Sequence, residues 1–287
     1  MSELKQDLFP LKHSIFDPTG NITALVEDSV DIPMQPAAAS ELMRLHPEVE
    51  QVGFVSSSPA GSPLIGELRM AGGEFCGNAS MSAAALLQMK QMRECGSDPS
   101  KEETVTVFLK ASGAGKPVKI TLKRETEDSF RASIRMPEAK GIENIPLSFG
   151  AMSGRIPLVR MEGISHLIIE PSSAFFPLLS DREAAGKAVR KWCGEIGADG
   201  LGLMFLNGSG SGLQMTPLVY VPGSGTVFWE HSCASGSSAA GMFLADKTGR
   251  KQTVTLHEPG GSLAVTSDPG SKITVLRGNV RLMQSFG

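Results

Sequence analysis

Long apolar runs are missing from this chain. No stretch of its 287 residues approaches the roughly 18–20 apolar positions that a membrane span requires. A dominant charge sign is missing too. Lys and Arg total 27 against 30 Asp and Glu, for a formal net charge of −3. That argues against a nucleic-acid binder, which usually carries a basic patch. The first nine residues mix charged, polar and apolar positions, with no basic stretch followed by an apolar one. No secretory leader is visible there, and the expected compartment is cytoplasmic. Cysteine is scarce: Cys76, Cys95, Cys193 and Cys233, with no CxxC pair. A zinc ribbon and a thioredoxin-like redox pair are thereby unsupported, and a large leaderless chain points to reduced thiols. The five histidines (His13, His46, His166, His231, His257) are scattered, without HxxxH or HExxH spacing, so no metal site is expected. Aromatic residues make up only 6% of the chain.

Glycine is abundant at 32, and 18 prolines join it in punctuating short apolar, often β-branched runs. Strands are expected near 22–26, 51–55, 105–109, 118–122, 158–161, 167–169, 218–221, 254–256 and 273–276. A chain of this length buries about 75% of its unfolded surface, so a substantial core is available. Two expected helices are unusual. The segment 78–92 is uncharged until Lys90, with Gly96 placed as a stop, and 235–247 is uncharged until Asp246, with Gly249 behind it. A helix apolar on all faces is normally buried. Segments 37–45 and 181–193 read as ordinary amphipathic surface helices.

The most informative feature is an internal repeat. Glu74-Phe75-Cys76-Gly77-Asn78-Ala79-Ser80 is answered by Glu230-His231-Ser232-Cys233-Ala234-Ser235-Gly236, and both copies run on through Ser into Ala-Ala. A fainter match links Gly20-Asn21-Ile22-Thr23 to Gly163-Ile164-Ser165-His166. Two pseudo-symmetric domains of mixed α and β structure follow, divided near Met136 into 1–135 and 136–270.

Each repeated cysteine precedes an apolar helix. Free N–H groups and the helix dipole make such an end locally positive. That potential lowers a thiol pKa from about 8.5 into the range of about 3.5–7.5, and it also binds a carboxylate. Two such ends facing one cleft would hold a substrate carboxylate, with one sulfur on each face of the neighbouring carbon. A thiolate would remove the α-proton from one side and a thiol would return one from the other, inverting the centre. No pyridoxal lysine is needed, so no cofactor is expected. Cys95 and Cys193 lack the motif and read as small hydrophobic residues.

The residues Cys76-Gly77-Asn78 and Cys233-Ala234-Ser235-Gly236-Ser237, with Pro18-Thr19-Gly20-Asn21, resemble the motifs of the diaminopimelate epimerase family. The closer likeness is to the histidine racemases of staphylopine-type opine metallophore biosynthesis. It is carried by 18–26, 50–54, 73–82, 229–236 and 258–267. The resemblance implies an α+β, diaminopimelate epimerase-like fold of two pseudo-symmetric β-barrel-like domains, each around a central helix. It also implies a final strand, 271–287, that returns to the first domain. Catalysis would fall to Cys76 and Cys233, and substrate binding to Asn21, Glu50, Gln51, Gly77, Asn78, His166, Glu230, Ala234, Ser235 and Gly236.

The chain departs from the epimerase pattern in places. Ser224 and Gly225 stand where the epimerase has a Glu-Arg pair for the distal end of its substrate, and Thr216-Pro217-Leu218 replaces an Asn-rich segment. A substrate with a distal ammonium and carboxylate loses its anchor, which disfavours diaminopimelate. Glu50 could hold an imidazole N–H, or be a surface residue of Glu48-Val49-Glu50. Gln51 could bond the substrate or end a strand. His166 could meet substrate or be a core histidine. Glu230 could touch substrate or cap a strand end.

The reading is a cofactor-independent isomerase acting on the small-molecule amino acid histidine, with no nucleic-acid or membrane partner and a homodimer left open. The alternatives are a diaminopimelate or other amino-acid epimerase and a non-catalytic amino-acid binding protein.

Overall fold

The computed structural model describes residues 11–96 and 104–287, apart from the side chain at 211. The segment 1–10, read above for a leader, lies outside them. The first half runs β1 (His13–Asp17), β2 (Thr23–Val26), α1 (Gln35–Leu45), β3 (Gln51–Ser57), β4 (Gly66–Met70), α2 (Gly77–Glu94), β5 (Thr104–Ala111), β6 (Val118–Arg124) and β7 (Ser129–Arg135). The second runs β8 (Gly141–Phe149), β9 (Met152–Arg160), β10 (Ser165–Ile169), α3 (Arg182–Ile196), β11 (Leu201–Asn207), β12 (Gln214–Val221), β13 (Thr226–Trp229), α4 (Ala234–Thr248), β14 (Gln252–Glu258), β15 (Gly261–Asp268) and β16 (Ile273–Phe286).

The repeat is visible in the pairing. In the first half β2–β3 and β4–β5 are parallel, and the strands of each pair are joined through a helix. In the second half β10–β11 and β12–β14 repeat this arrangement. α2 and α4 are the matched inner helices. Their Ala-, Ser- and Gly-rich sequences leave them slim enough to lie against strands on several sides, and nearly every residue of their first three turns is buried. α1 and α3 lie outside, each burying one face. On α3 that face is Ala185, Ala188, Val189, Trp192 and Cys193, with Asp181 capping its start and Gly197 in the left-handed conformation ending it.

Strands β1–β7 and β16 close an eight-stranded barrel around α2. The resemblance implied a β-barrel-like domain in each half, and the second half stays open. Its strands β8–β12, β14 and β15 join β16 as a curved sheet around α4, and no pairing among the described residues closes it. The reason is the length of β16. One edge pairs with β7 through residues 275–281, while the other is used by β15 at 273–277 and by β1 at 281–286. No edge remains for β8.

The halves meet at close backbone contacts. Gly20 has φ +93°, and a Cβ placed there would lie 2.4 Å from Gly260 Cα. Gly20→Ala is therefore both strained and overpacked, and should destabilise the fold by about 1–3 kcal/mol. A urea midpoint unchanged from the wild type would contradict this close seam.

Candidate active site

Cys76 and Cys233 are the N-cap residues of α2 and α4, in nearly the same extended conformation (φ −129°, ψ 116° and φ −130°, ψ 101°). The two helix starts meet: a Cβ on Gly77 would lie 2.9 Å from the Ala234 Cβ. The chamber between them is lined by Asn21, Gln51, Glu74, Phe75, Cys76, Asn78, Ile164, Val219, Val221, Glu230, Cys233, Ala234 and Ser235. Its volume is about 30 Å³, room for a water or two and not for an amino acid.

Around Cys76, the Ala79 N–H donates to Sγ at 3.4 Å, and the thiol donates to Gln51 Oε1 at 3.0 Å. Gln51 is oriented by its own donation to Thr23 Oγ1 at 2.7 Å. Asn78 Nδ2 reaches both Asn21 Oδ1 and the Ser232 carbonyl at 3.3 Å, tying the two halves together. Around Cys233, the main-chain N–H donates to Glu258 Oε2 at 2.6 Å, and Ser237 donates its hydroxyl to Glu258 Oε1. Ser235 Oγ lies 3.6 Å from the Cys233 sulfur. The Glu230 carboxylate lies beside the Cys233 thiol and raises its pKa.

Electrostatics here run opposite to the sequence-based expectation of depressed thiol pKa values. Burial pushes the Cys76 thiol up to about 12, with Glu230 and Glu74 adding to it. Burial, then Glu230 and Glu258, hold the Cys233 thiol well above its ordinary range. Glu230 and Glu258 are themselves raised to about 8 by burial. The helix ends are positive as argued, but desolvation and the carboxylates of Glu74, Glu230 and Glu258 outweigh them.

Of the other residues singled out, Asn21, Gln51, Asn78, Glu230, Ala234 and Ser235 line the chamber with the cysteines. Gly236 must lack a side chain, because a Cβ there would sit 2.1 Å from Met204 Sδ and 3.2 Å from the Cys233 sulfur. Glu50 stands just behind the lining. Its Oε2 accepts from Asn21 Nδ2 at 2.8 Å and from the His231 N–H at 3.2 Å, and its Oε1 contacts His231 Nδ1. It bridges the two halves. His166 is fully buried beside Gly202, with neither ring nitrogen hydrogen-bonded among the described residues. Burial lowers its pKa to about 3, so the ring is neutral.

Cys95 is exposed and Cys193 is buried, donating to the Ala198 carbonyl, so neither belongs to the site. Two carboxylates escaped the sequence reading. Glu258 grips the start of α4 from the end of β14. Glu74 lines the chamber and also a neighbouring cleft of about 670 Å³. Glu74 carried a signal, since both repeat copies place a glutamate two or three residues before the cysteine.

The likeness to known proteins agrees with this geometry. The family described as "Histidine racemase CntK N-terminal domain" matches residues 11–283. A histidine racemase of Fusobacterium nucleatum is 32% identical over 235 residues, 79% of this chain and 78% of that protein. A histidine racemase of Staphylococcus aureus is 29% identical over 259 residues, 90% of this chain and 88% of that protein. Among solved structures, a predicted epimerase from Pseudomonas aeruginosa superposes with a TM-score of 0.66 at 16% identity, covering 96% of this chain and 98% of that one. A hydroxyproline epimerase from Agrobacterium vitis, solved with trans-4-hydroxy-L-proline, gives 0.61 at 14% identity, covering 96% and 91%. These structures share the fold. With a family match spanning nearly the whole described chain, the protein belongs to the histidine racemase CntK family.

Proposed function

We propose that this protein interconverts L- and D-histidine without a cofactor, using Cys76 and Cys233 as the two proton-transfer groups. The observation that carries the proposal is the pair of cysteine-capped helix starts meeting across one chamber. The family membership and the histidine racemases at 29–32% identity supply the substrate. The substrate carboxylate lies against the free N–H groups of both helix ends, which stabilise the charge that develops as the α-proton leaves. One thiolate takes the α-proton and the opposite thiol delivers another. The sulfur that gave its proton is the base for the reverse direction.

Asn21, Gln51 and Asn78 hold the Cys76 side of the chamber in register, while Glu230 and Ser235 serve the Cys233 side. Glu50 acts with Asn21 and His231 to keep the halves together, and His166 is the neutral ring behind the second helix. The 30 Å³ chamber requires the halves to separate before substrate enters. We also read the chain as kin to the diaminopimelate epimerases, on the Cys76-Gly77-Asn78 and Cys233-Ala234-Ser235-Gly236 motifs, and assign it to opine metallophore biosynthesis on the closer likeness stated above.

The test is α-proton exchange in deuterated water with single amino acids, after dialysis against chelator. Histidine is expected to exchange and to racemise. Faster turnover of diaminopimelate than of histidine would return the chain to the epimerase reading, and no exchange with any amino acid would favour a binding protein.

A further inference from the structure

We infer that Glu74 is a specificity-determining residue of this site: its carboxylate accepts a ring N–H from a substrate side chain that runs out of the cysteine chamber into the neighbouring cleft. The inference rests on the two-thiol racemase reading and names the group that selects an imidazole.

The first observation is one of space. The chamber of about 30 Å³ holds no amino acid until the halves part, and Glu74 stands at the edge where it adjoins a larger space. The cleft of about 670 Å³ lies directly beyond. Three places in the chain border both spaces: Glu74, which lines each of them, the adjoining Gly163 and Ile164, and the adjoining Val221 and Pro222. Only Glu74 among these carries a polar side chain.

The walls at that boundary are main chain. A Cβ on Gly113 would fall 2.3 Å from the Phe75 nitrogen, one on Gly163 3.0 Å from Gly113 Cα, and one on Gly223 2.8 Å from the Gly72 carbonyl oxygen. The glycines bring the two halves close together beside Glu74, a passage suited to a flat ring.

The second observation is one of hydrogen bonding. Of the four carboxylates at or just behind the site, Glu50, Glu74, Glu230 and Glu258, Glu74 alone among the described residues has a buried side-chain oxygen without a partner. Glu50 is held by Asn21 and His231, Glu258 by the Cys233 N–H and Ser237, and Glu230 lies beside the Cys233 thiol, whose pKa it raises. Glu74 Oε2 is buried with no hydrogen-bond partner. A buried carboxylate oxygen without a donor is costly, and the missing donor is what an imidazole N–H supplies. The main-chain N–H of Glu74, then Arg69 and the Gly72 N–H, offset part of the cost of burying this carboxylate, and none of them satisfies Oε2. An aliphatic or purely apolar side chain would leave the oxygen unpaired, so the same carboxylate selects against it.

The experiment compares histidine with 3-(2-thienyl)alanine, whose five-membered ring has no N–H. KM and kcat are measured for histidine, and Ki for thienylalanine as its competitor, in wild-type protein and Glu74→Gln. The histidine KM should rise about ten- to a hundredfold, the loss of a hydrogen bond to a charged group. The change in kcat should be smaller, and Ki should barely move. Glu74→Asp, which keeps the charge but withdraws it by a methylene, should fall between and serves if the glutamine variant does not fold. Equal rises in KM and Ki, or a histidine KM near the wild-type value, overturn the assignment. Failure of the wild-type protein to exchange the α-proton of histidine would instead strike the racemase reading beneath it.

Discussion

Serine in place of either Cys76 or Cys233 is expected to cut histidine racemisation by about 10²–10⁴-fold, the range that general acid–base groups contribute, while the chain stays folded. The structure explains why folding should survive. Cys76 caps α2 by accepting the Ala79 N–H, and a serine hydroxyl does the same with shorter geometry. Cys233 caps α4 through its main chain, whose N–H is taken by Glu258 whatever side chain the residue carries. The chemistry is not spared, because a serine hydroxyl is a far weaker acid than a thiol. Each face of the α-carbon depends on one of the two groups, so either substitution alone should stop inversion. Racemisation by optical rotation or chiral chromatography, with circular dichroism as the folding control, gives the answer. Near-normal racemisation in either folded variant would remove the two-base mechanism.

Why the cysteines were legible, and Glu258 and the pairing of Glu50 were not, follows from the range of each interaction. The helices at 78–92 and 235–247 are local events. Small and apolar residues, a cysteine at the start and Gly249 at the end mark them within one window, and α2 and α4 match to within a few residues. Strands such as 51–55 and 118–122 were visible for the same reason. β1, β4, β8, β11, β13 and β15 were passed over, and β8 has Glu143, Asn144 and Pro146 interrupting its apolar pattern.

The asymmetry of the two halves depends on how the 14 residues of β16 divide their edges among three neighbours, which no local pattern encodes. The same holds for the site. Glu258 is 25 residues from the N–H it accepts, and Glu50 is 181 from His231. The helix-dipole argument erred in its sign for a related reason. It counted the local N–H groups and missed the burial that raises both thiols, together with the carboxylates beside them, of which Glu258 at Cys233 and Glu230 at Cys76 are brought in only by the tertiary fold.

Those carboxylates lead to the second large effect, a steep pH dependence. Glu230 lies beside the Cys233 thiol, faces Glu50 and Glu74 as well, and is raised to about 8, chiefly by burial. Below that pH, Glu230 and Cys233 both hold protons, and the pair has no base to offer. Above it one proton is lost and the other is shared between carboxylate and sulfur, so a thiolate becomes available by transfer within the pair. The apparent pKa belongs to the pair rather than to either residue. Because the shift is upward, the base is missing on the acid side. kcat/KM for histidine, which reports the free enzyme, should therefore rise about tenfold per pH unit below the inflection and level off above about 8.

Glu230→Gln removes the acceptor through which the proton leaves the sulfur. Cys233 must then ionise alone, and burial together with Glu258 still raises its thiol after Glu230's share of the shift is gone. The inflection should move to higher pH, and kcat/KM at pH 7.5 should fall by about 10²-fold. A purely structural role would lower the whole profile without moving it. A Glu230→Gln profile that keeps its inflection near 8 would show that this carboxylate does not tune Cys233.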